Sequence, residues 1–263
     1  MALIVVAGDA LVDIFEDTYR AGGATNVYEN LDAITMNTHL LPLTQLFEGR
    51  GHIWVDFVYN KELGKVFYDA NLQIYKKEDS VQGKLLHRLN QDRLATYREK
   101  DYCALIISDY SRGSVTPCDP TDTIIYEPPP WDLIVVDSRY RTVDPLLLRQ
   151  APDHCLKVWH CTGDEYDYEF AKQFDVLLHT NGPKEVAVIS GLRNKPGQQS
   201  LYKFQVPQDT PVANTSGAGD TFVAAWAAHY VKNKSIYDAT EFAISAAQDV
   251  IQEPYTAVTK HKI

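Results

Sequence analysis

Paired cysteines, an excess of basic charge and long apolar runs are all missing from this sequence, and each absence narrows what the chain can be. The four cysteines (Cys103, Cys118, Cys155, Cys161) form neither a CxxC pair nor a regular framework. That pattern points to free thiols in a reducing compartment rather than to a disulfide scaffold. Lys and Arg number 25 against 35 Asp and Glu, a net charge of −10. A chain of this sign repels nucleic acid and anionic membranes at long range, although a local pocket for a small phosphate is compatible with it. The opening "MALIVVAGDALVDIF" is apolar but lacks a basic leader, and Asp9 and Asp13 interrupt it before a signal-peptide core or a membrane span is complete. There are no internal repeats, low-complexity tracts or interdomain linkers. The expectation is a cytoplasmic protein of one domain, residues 1–263, with neither nucleic-acid nor membrane partners.

What is present is enough apolar material for a sizeable core: 45% of the 263 residues, with 11% aromatic. Short runs rich in β-branched residues occupy 3–8, 103–109, 132–137, 155–160, 175–180 and 185–190. Continuous apolar strands of this length suit a mostly parallel sheet covered on both faces. Amphipathic segments at 80–98 and 164–174 lie between them, and 218–231 and 237–253 read as the last helices. The alternation predicts an α/β fold with a doubly wound, mostly parallel sheet. In such sheets ligands bind beyond the carboxyl ends of the strands, where Asp9, Asp109, Asp137, His160 and Thr180 stand. Asp at such a position also commonly only caps the next helix. The stretch 52–77 alternates aromatic and polar residues around "NKELGK" and predicts a half-exposed hairpin beside the main sheet. The prolines of "YEPPPWD" predict a loop over 126–132.

One stretch, "NTSGAGDTF" at 214–222, raises a chemical question. It reads either as a tight turn capped by Asn214, Thr215 or Ser216, or as a cradle for phosphate oxygens. In the second reading the unpaired amides of the first helical turn and the positive end of the helix dipole face an anion. The carboxylate of Asp220 then stands ready to take a proton from an incoming hydroxyl. A second group lies upstream: Asp13, then Gly22 and Gly23, then Asn26 about one turn into a helix. These are donors and acceptors suited to a polyol. Three other features read as ordinary structure. His160 and Cys161 have no second pair at zinc-ligand spacing. Trp54, Trp131, Trp159 and Trp226 are spread out as packing residues, and "GDEYDYE" at 163–169 lacks a calcium-loop pattern.

The ordered set "GDALVDIF", "AGGATNVYENL", "ISDYSRG", "VDSRY", "GDEY" and "NTSGAGDTFVAAW" resembles the ribokinase-like (PfkB) family of carbohydrate kinases. Within that family it is most similar to the heptose-7-phosphate kinase domain of bifunctional ADP-heptose synthesis enzymes, over nearly the whole chain. The resemblance implies a ribokinase-like fold with a small β lid formed around 14–21 and 52–77. It implies ATP and Mg2+ as cofactors and a sugar or sugar-phosphate substrate. A homodimer assembled through the lid is admitted by it. By position, Asp220 would be the base and the Gly217, Ala218 and Gly219 amides the anion hole. Asp13, Gly22, Gly23, Asn26 and Asp109 would hold the substrate. Thr180, Gly182, Arg139 and Ser245 would contact the nucleotide, and Glu165 would organise the metal through water. The sequence departs from the family at Thr162 and Ser245, where Asn is usual, at Asn214 and Arg139, and in the short excursion between Asp13 and Gly22. If the heptose likeness holds, the chain covers the kinase half of that chemistry. A nucleoside or other small-alcohol kinase, or a nucleotide- or sugar-binding homologue with weak turnover, are the alternatives.

Overall fold

The computed structural model describes residues 2–8, 10–15, 18–35, 41–42, 54–57, 102–110, 131–138, 143, 148–149, 151–193 and 198–263. Eleven strands are described among them. They are β1 (Ala2–Gly8), β2 (Ala10–Phe15), β3 (Thr18–Gly22), β4 (Leu41–Pro42), β5 (Trp54–Phe57), β6 (Tyr102–Asp109), β7 (Leu133–Ser138), β8 (Leu156–Thr162), β9 (Val176–Thr180), β10 (Glu185–Ser190) and β11 (Ser200–Gln205). The helices are α1 (Gly23–Thr35), α2 (Tyr168–Ala171), α3 (Ala218–Asn233) and α4 (Ile236–Val250).

Eight strands form the main sheet in the order β11-β10-β9-β8-β7-β6-β1-β4. Every pair from β4 to β9 is parallel, and β10 and β11 close the sheet antiparallel. The apolar runs make this arrangement: Ala104–Ile107 and Leu133–Val136 are buried without interruption, as strands covered on both faces must be. One face packs Leu105, Ile107, Ile134 and Val136 around Trp131 and Trp159. The other packs Ile4, Val6, Ile106 and Val135 under α1, α3 and α4. Each fully buried large side chain removed from water contributes about 1.5–3 kcal/mol.

Helix α3 is the central helix of that second layer. It is buried from Asp220 through Ala228, as expected for a helix that is apolar all round. Its alanines face Ala239, Ala243 and Ala246 of α4, whose start is capped by the Ser235 hydroxyl accepting from the Asp238 N–H, 3.2 Å. Helix α1 presents Val27, Leu31 and Ile34, spaced i, i+4, i+7, to the same core. A second sheet, β3-β2-β5, pairs β2 with β3 antiparallel and with β5 parallel.

The sequence expectations differ from this in definite ways. The opening apolar run is two strands that belong to different sheets. Segment 164–174, expected as an amphipathic helix, is a 3-10 turn at Gly163–Glu165 and the single-turn α2, whose Phe170 N–H is capped by Asp167 Oδ1 at 2.8 Å. Edge strand β11 has only Phe204 buried and carried no apolar run to announce it. The last helices run 218–233 and 236–250, the second ending three residues earlier than expected. Residues 52–53 and 58–77 of the expected hairpin, the amphipathic segment 80–98 and most of 126–132 lie outside the described residues. The three tryptophans described with their side chains, Trp131, Trp159 and Trp226, are fully buried packing residues as expected.

Candidate active site

The turn at 214–220 is built by its own sequence. Asn214 Oδ1 accepts the Ser216 N–H (2.8 Å), the Ala218 N–H turns back to Thr215 O (3.3 Å), and the first regular helical bond runs from Thr221 N–H to Gly217 O (2.9 Å). The Gly219 and Asp220 amides precede that first rung, at the positive end of a 16-residue helix. Gly217 adopts φ +79°, and a Cβ there would lie 2.5 Å from Asn26 Nδ2 and 2.6 Å from Thr256 Cγ2. Glycine is required at 217 both by conformation and by space.

Asp220 is only 3% exposed, and each of its oxygens receives a donor. Asn26 Nδ2 donates to Oδ2 at 3.1 Å, and the Tyr110 hydroxyl donates to Oδ1 at 2.9 Å. Asn26 arrives there because β3 ends at the buried Gly22 and α1 starts at Gly23 (φ +54°), which places position 26 one turn in. Its amide also lies 3.4 Å from Gly217 O, so one side chain touches both the base candidate and the turn. Tyr110 follows the last residue of β6, Asp109, which is itself buried and accepts from the Ser138 hydroxyl at 2.6 Å.

A second group lies at the carboxyl ends of β7, β8 and β9. Register pairs Asp137 with His160 and Thr162 with Thr180. Asp137 Oδ1 is 2.8 Å from His160 Nδ1, and His160 Nε2 is 3.2 Å from Thr180 Oγ1. Thr180 Oγ1 is in turn 3.2 Å from Thr162 Oγ1. Glu165 Oε2 accepts the Thr162 N–H at 2.8 Å, closing its own turn. The His160 ring, 2% exposed, stacks on Phe222 of α3 at 5.4 Å, and Cε1 is 3.8 Å from where a Cβ on Gly219 would stand. His160 therefore joins the strand-end group to the turn that carries Asp220.

Beside Asn26 a cavity of about 280 Å³ opens between β3 and α1 on one side and the segment after α4 on the other. Arg20, Glu29, Glu253, Tyr255 and Thr256 line it, and the Arg20 guanidinium lies 5.4 Å from the Tyr255 ring centroid. Burial pushes the Glu29 carboxyl above its ordinary range, and Arg20 opposes that shift.

The structure thus brings together Asn26, Gly217, Ala218, Gly219 and Asp220, with Gly22 ending β3 and Gly23 opening α1. It brings Thr180 and Glu165 together at the strand ends. Gly182 sits in the exposed turn between β9 and β10 at φ +52°, with open space around it. Asp13 is the register partner of Arg20 across the β2–β3 pair. The Ser245 hydroxyl lies 3.3 Å from His261 Nε2 of the C-terminal tail. Arg139 lies outside the described residues. Sequence reasoning missed Tyr110 and set His160 aside. The signal for Tyr110 was its place directly after a strand-end Asp; for His160 it was a polar residue inside a run otherwise destined for the core.

Among the described residues no group of three or more His, Cys, Asp or Glu side chains could hold a metal ion, and no helix is long and apolar enough to cross a membrane. Cys155 and Cys161 are both buried, at 1% exposure each.

Residues 167–263 match the sequence pattern of the pfkB family carbohydrate kinases, a segment that contains Thr180, the 214–220 turn and all of α3 and α4. The fold is ribokinase-like. Similar solved structures include the Arabidopsis thaliana ribokinase complexed with ribose and ATP, at TM-score 0.61 and 16% identity over 99% of this chain and 97% of that one. Phosphofructokinase-2 from Escherichia coli in complex with substrates and products is similar at TM-score 0.57 and 12% identity, over 99% and 96%. The Methanocaldococcus jannaschii nucleoside kinase, an archaeal member of the ribokinase family, is similar at 0.54 and 12%, over 98% and 95%. No curated protein sequence matches the chain. The expected ribokinase-like α/β fold is borne out.

Proposed function

We propose that this ribokinase-like protein transfers the γ-phosphoryl group of ATP to a hydroxyl of a sugar or sugar phosphate, with Asp220 as the general base. The observation that carries the reading is the placement of one buried carboxylate in the first turn of a helix whose leading amides are free of the helical ladder. Base and anion hole are then on one rigid element, and phosphoryl transfer needs mainly positioning and charge neutralisation.

In the proposed reaction the acceptor hydroxyl lies against Asp220, whose carboxylate oxygens also accept from Asn26 and Tyr110. Asp220 takes the hydroxyl proton as the oxygen attacks the γ-phosphorus in line, and ADP departs. Asn26 and Tyr110 hold the carboxylate in place, and the 217–219 turn receives the transferring phosphate. The cavity lined by Arg20, Asn26 and Tyr255 is the proposed acceptor pocket; Asp13, Gly22, Gly23 and Asp109 belong to its proposed surroundings. Thr180 and Gly182 lie on the proposed nucleotide side, to which Arg139 and Ser245 are also assigned. With no three-residue metal cluster among the described residues, the donor set suits an ion that arrives with the nucleotide and keeps its waters. Glu165 would face it through water, and when bound it would neutralise charge on the phosphate oxygens.

Heptose phosphate heads the candidate acceptors because of the motif resemblance. A nucleoside acceptor is the second reading, since a catalytic turn of this kind is indifferent to what carries the hydroxyl. The test is ADP release from Mg·ATP across heptose, hexose and pentose phosphates, free sugars and nucleosides. Turnover with one class names the acceptor. An absence of turnover, with ATP still raising the melting temperature, would replace the kinase by a binding protein.

A further inference from the structure

Asn30 is fully buried on α1, one turn beyond Asn26, and no step of the proposed reaction uses it. Its side chain is the middle of a directed chain of hydrogen bonds. The Thr259 backbone N–H donates to Asn30 Oδ1 at 2.9 Å. Asn30 Nδ2 donates to Asn26 Oδ1 and to Asn26 O, both at 3.0 Å. Asn26 Nδ2 donates to Asp220 Oδ2 at 3.1 Å.

The polarity of this chain is set at one end by covalent chemistry. A backbone N–H can only donate, so the atom of Asn30 facing residue 259 must be its oxygen. The Asn30 amide then points its NH2 group at Asn26, which must present its own oxygen and turn its NH2 group to Asp220. Without Asn30, the Asn26 oxygen loses its donor and the amide is held only from its NH2 side, by Asp220 Oδ2 (3.1 Å) and Gly217 O (3.4 Å). The 259 end is itself fixed. Asp249 Oδ2 accepts from the Thr259 hydroxyl (3.1 Å) and from the Lys260 N–H (2.7 Å), and the Ile263 N–H bonds Ile34 O (3.2 Å).

We propose that Asn30 is a positioning residue that, held by the C-terminal tail at Thr259, fixes the Asn26 amide so that it donates to Asp220. The inference rests on Asp220 being the base, and its test separates the two. The Asn30→Leu variant keeps the side-chain shape and removes the polarity; Asn30→Ala serves where the larger side chain does not fold. The side-chain NH2 signals of Asn26, assigned by their loss in Asn26→Leu, are followed by NMR in the folded protein, with no turnover required. They shift and exchange faster with solvent in the Asn30 variants, whereas a purely structural Asn30 leaves them as in the wild type. In the kinase assay the Asn30 variants lose about tenfold in kcat, the value of one hydrogen bond, with the ATP KM unchanged. The double variant Asn26→Leu/Asn30→Leu is no slower than Asn26→Leu alone. Unchanged Asn26 signals, or losses that add in the double variant, overturn the proposal. A wild type without kinase activity overturns the base assignment and leaves the NMR result to decide the positioning of Asn26.

Discussion

Replacing Gly217 by Ala sets two separate costs on one atom. The backbone is in the left-handed region at φ +79°, where a Cβ costs about 1–2 kcal/mol. The added carbon would also stand 2.5 Å from Asn26 Nδ2 and 2.6 Å from Thr256 Cγ2. Neither neighbour is the loose end of a mobile side chain: Asn26 is 1% exposed and tied to Asn30 and Asp220, and Thr256 is 3% exposed. Overpacking of this kind costs a further 1–3 kcal/mol or so. Gly182 is the internal control, because its φ is +52° and nothing lies within 4 Å of where a Cβ would stand. Gly182→Ala carries the conformational cost alone. Urea unfolding is therefore expected to place Gly217→Ala about 1–3 kcal/mol below Gly182→Ala. Its melting temperature falls by about 2–4 °C for each kcal/mol in a chain of this size. Turnover falls as well, since any relief comes from moving Asn26 off Asp220. Losses that agree within about 0.5 kcal/mol would refute the close packing of the turn against α1 and the segment after α4.

Lys234 ends α3 at φ 57°, a conformation that favours glycine. Lys234→Gly is expected to stabilise the fold by about 1 kcal/mol in urea; a loss of stability would show that its side chain does more than the backbone costs. Burial pushes the Cys155 thiol from 9.0 up to about 12, with Lys157 opposing and Asp175 and Asp132 adding to it. A folded pKa above the unfolded one contributes stability that is complete below about pH 9 and is lost as pH rises toward 12. The urea midpoint of the wild type is expected to fall more steeply between about pH 8 and 10.5 than that of Cys155→Ala, and equal slopes would contradict this.

The central sheet was legible because strands buried on both faces spell themselves out as unbroken apolar runs. Strand β10 has the bounds that "EVAVIS" predicts, and β6 and β9 are within a residue of theirs. Strand β11 left no such signature, since an edge strand exposed at Ser200–Lys203 has no reason to be apolar. Helix α2 was over-read because acidic and aromatic residues at 163–169 mimic an amphipathic turn, while Gly163 (φ +58°) breaks the run at its start. At the site, the glycines and Asp220 were readable from local sequence. Tyr110 and His160 were not: their roles come from strand register and from contacts across 110 residues in one case and 20–23 in the other. Asn30 was invisible for the same reason, because its meaning depends on a tail 229 positions away.

The most direct test of the kinase reading is the turnover of Asp220→Asn beside the wild type, with the accepted substrate and Mg·ATP, in protein shown to be folded by its melting temperature. The account predicts a fall of about 10²–10⁴-fold in kcat, the usual worth of a positioned base, with ATP still stabilising the variant. Turnover close to wild type in the folded variant would contradict it and remove Asp220 from the chemistry.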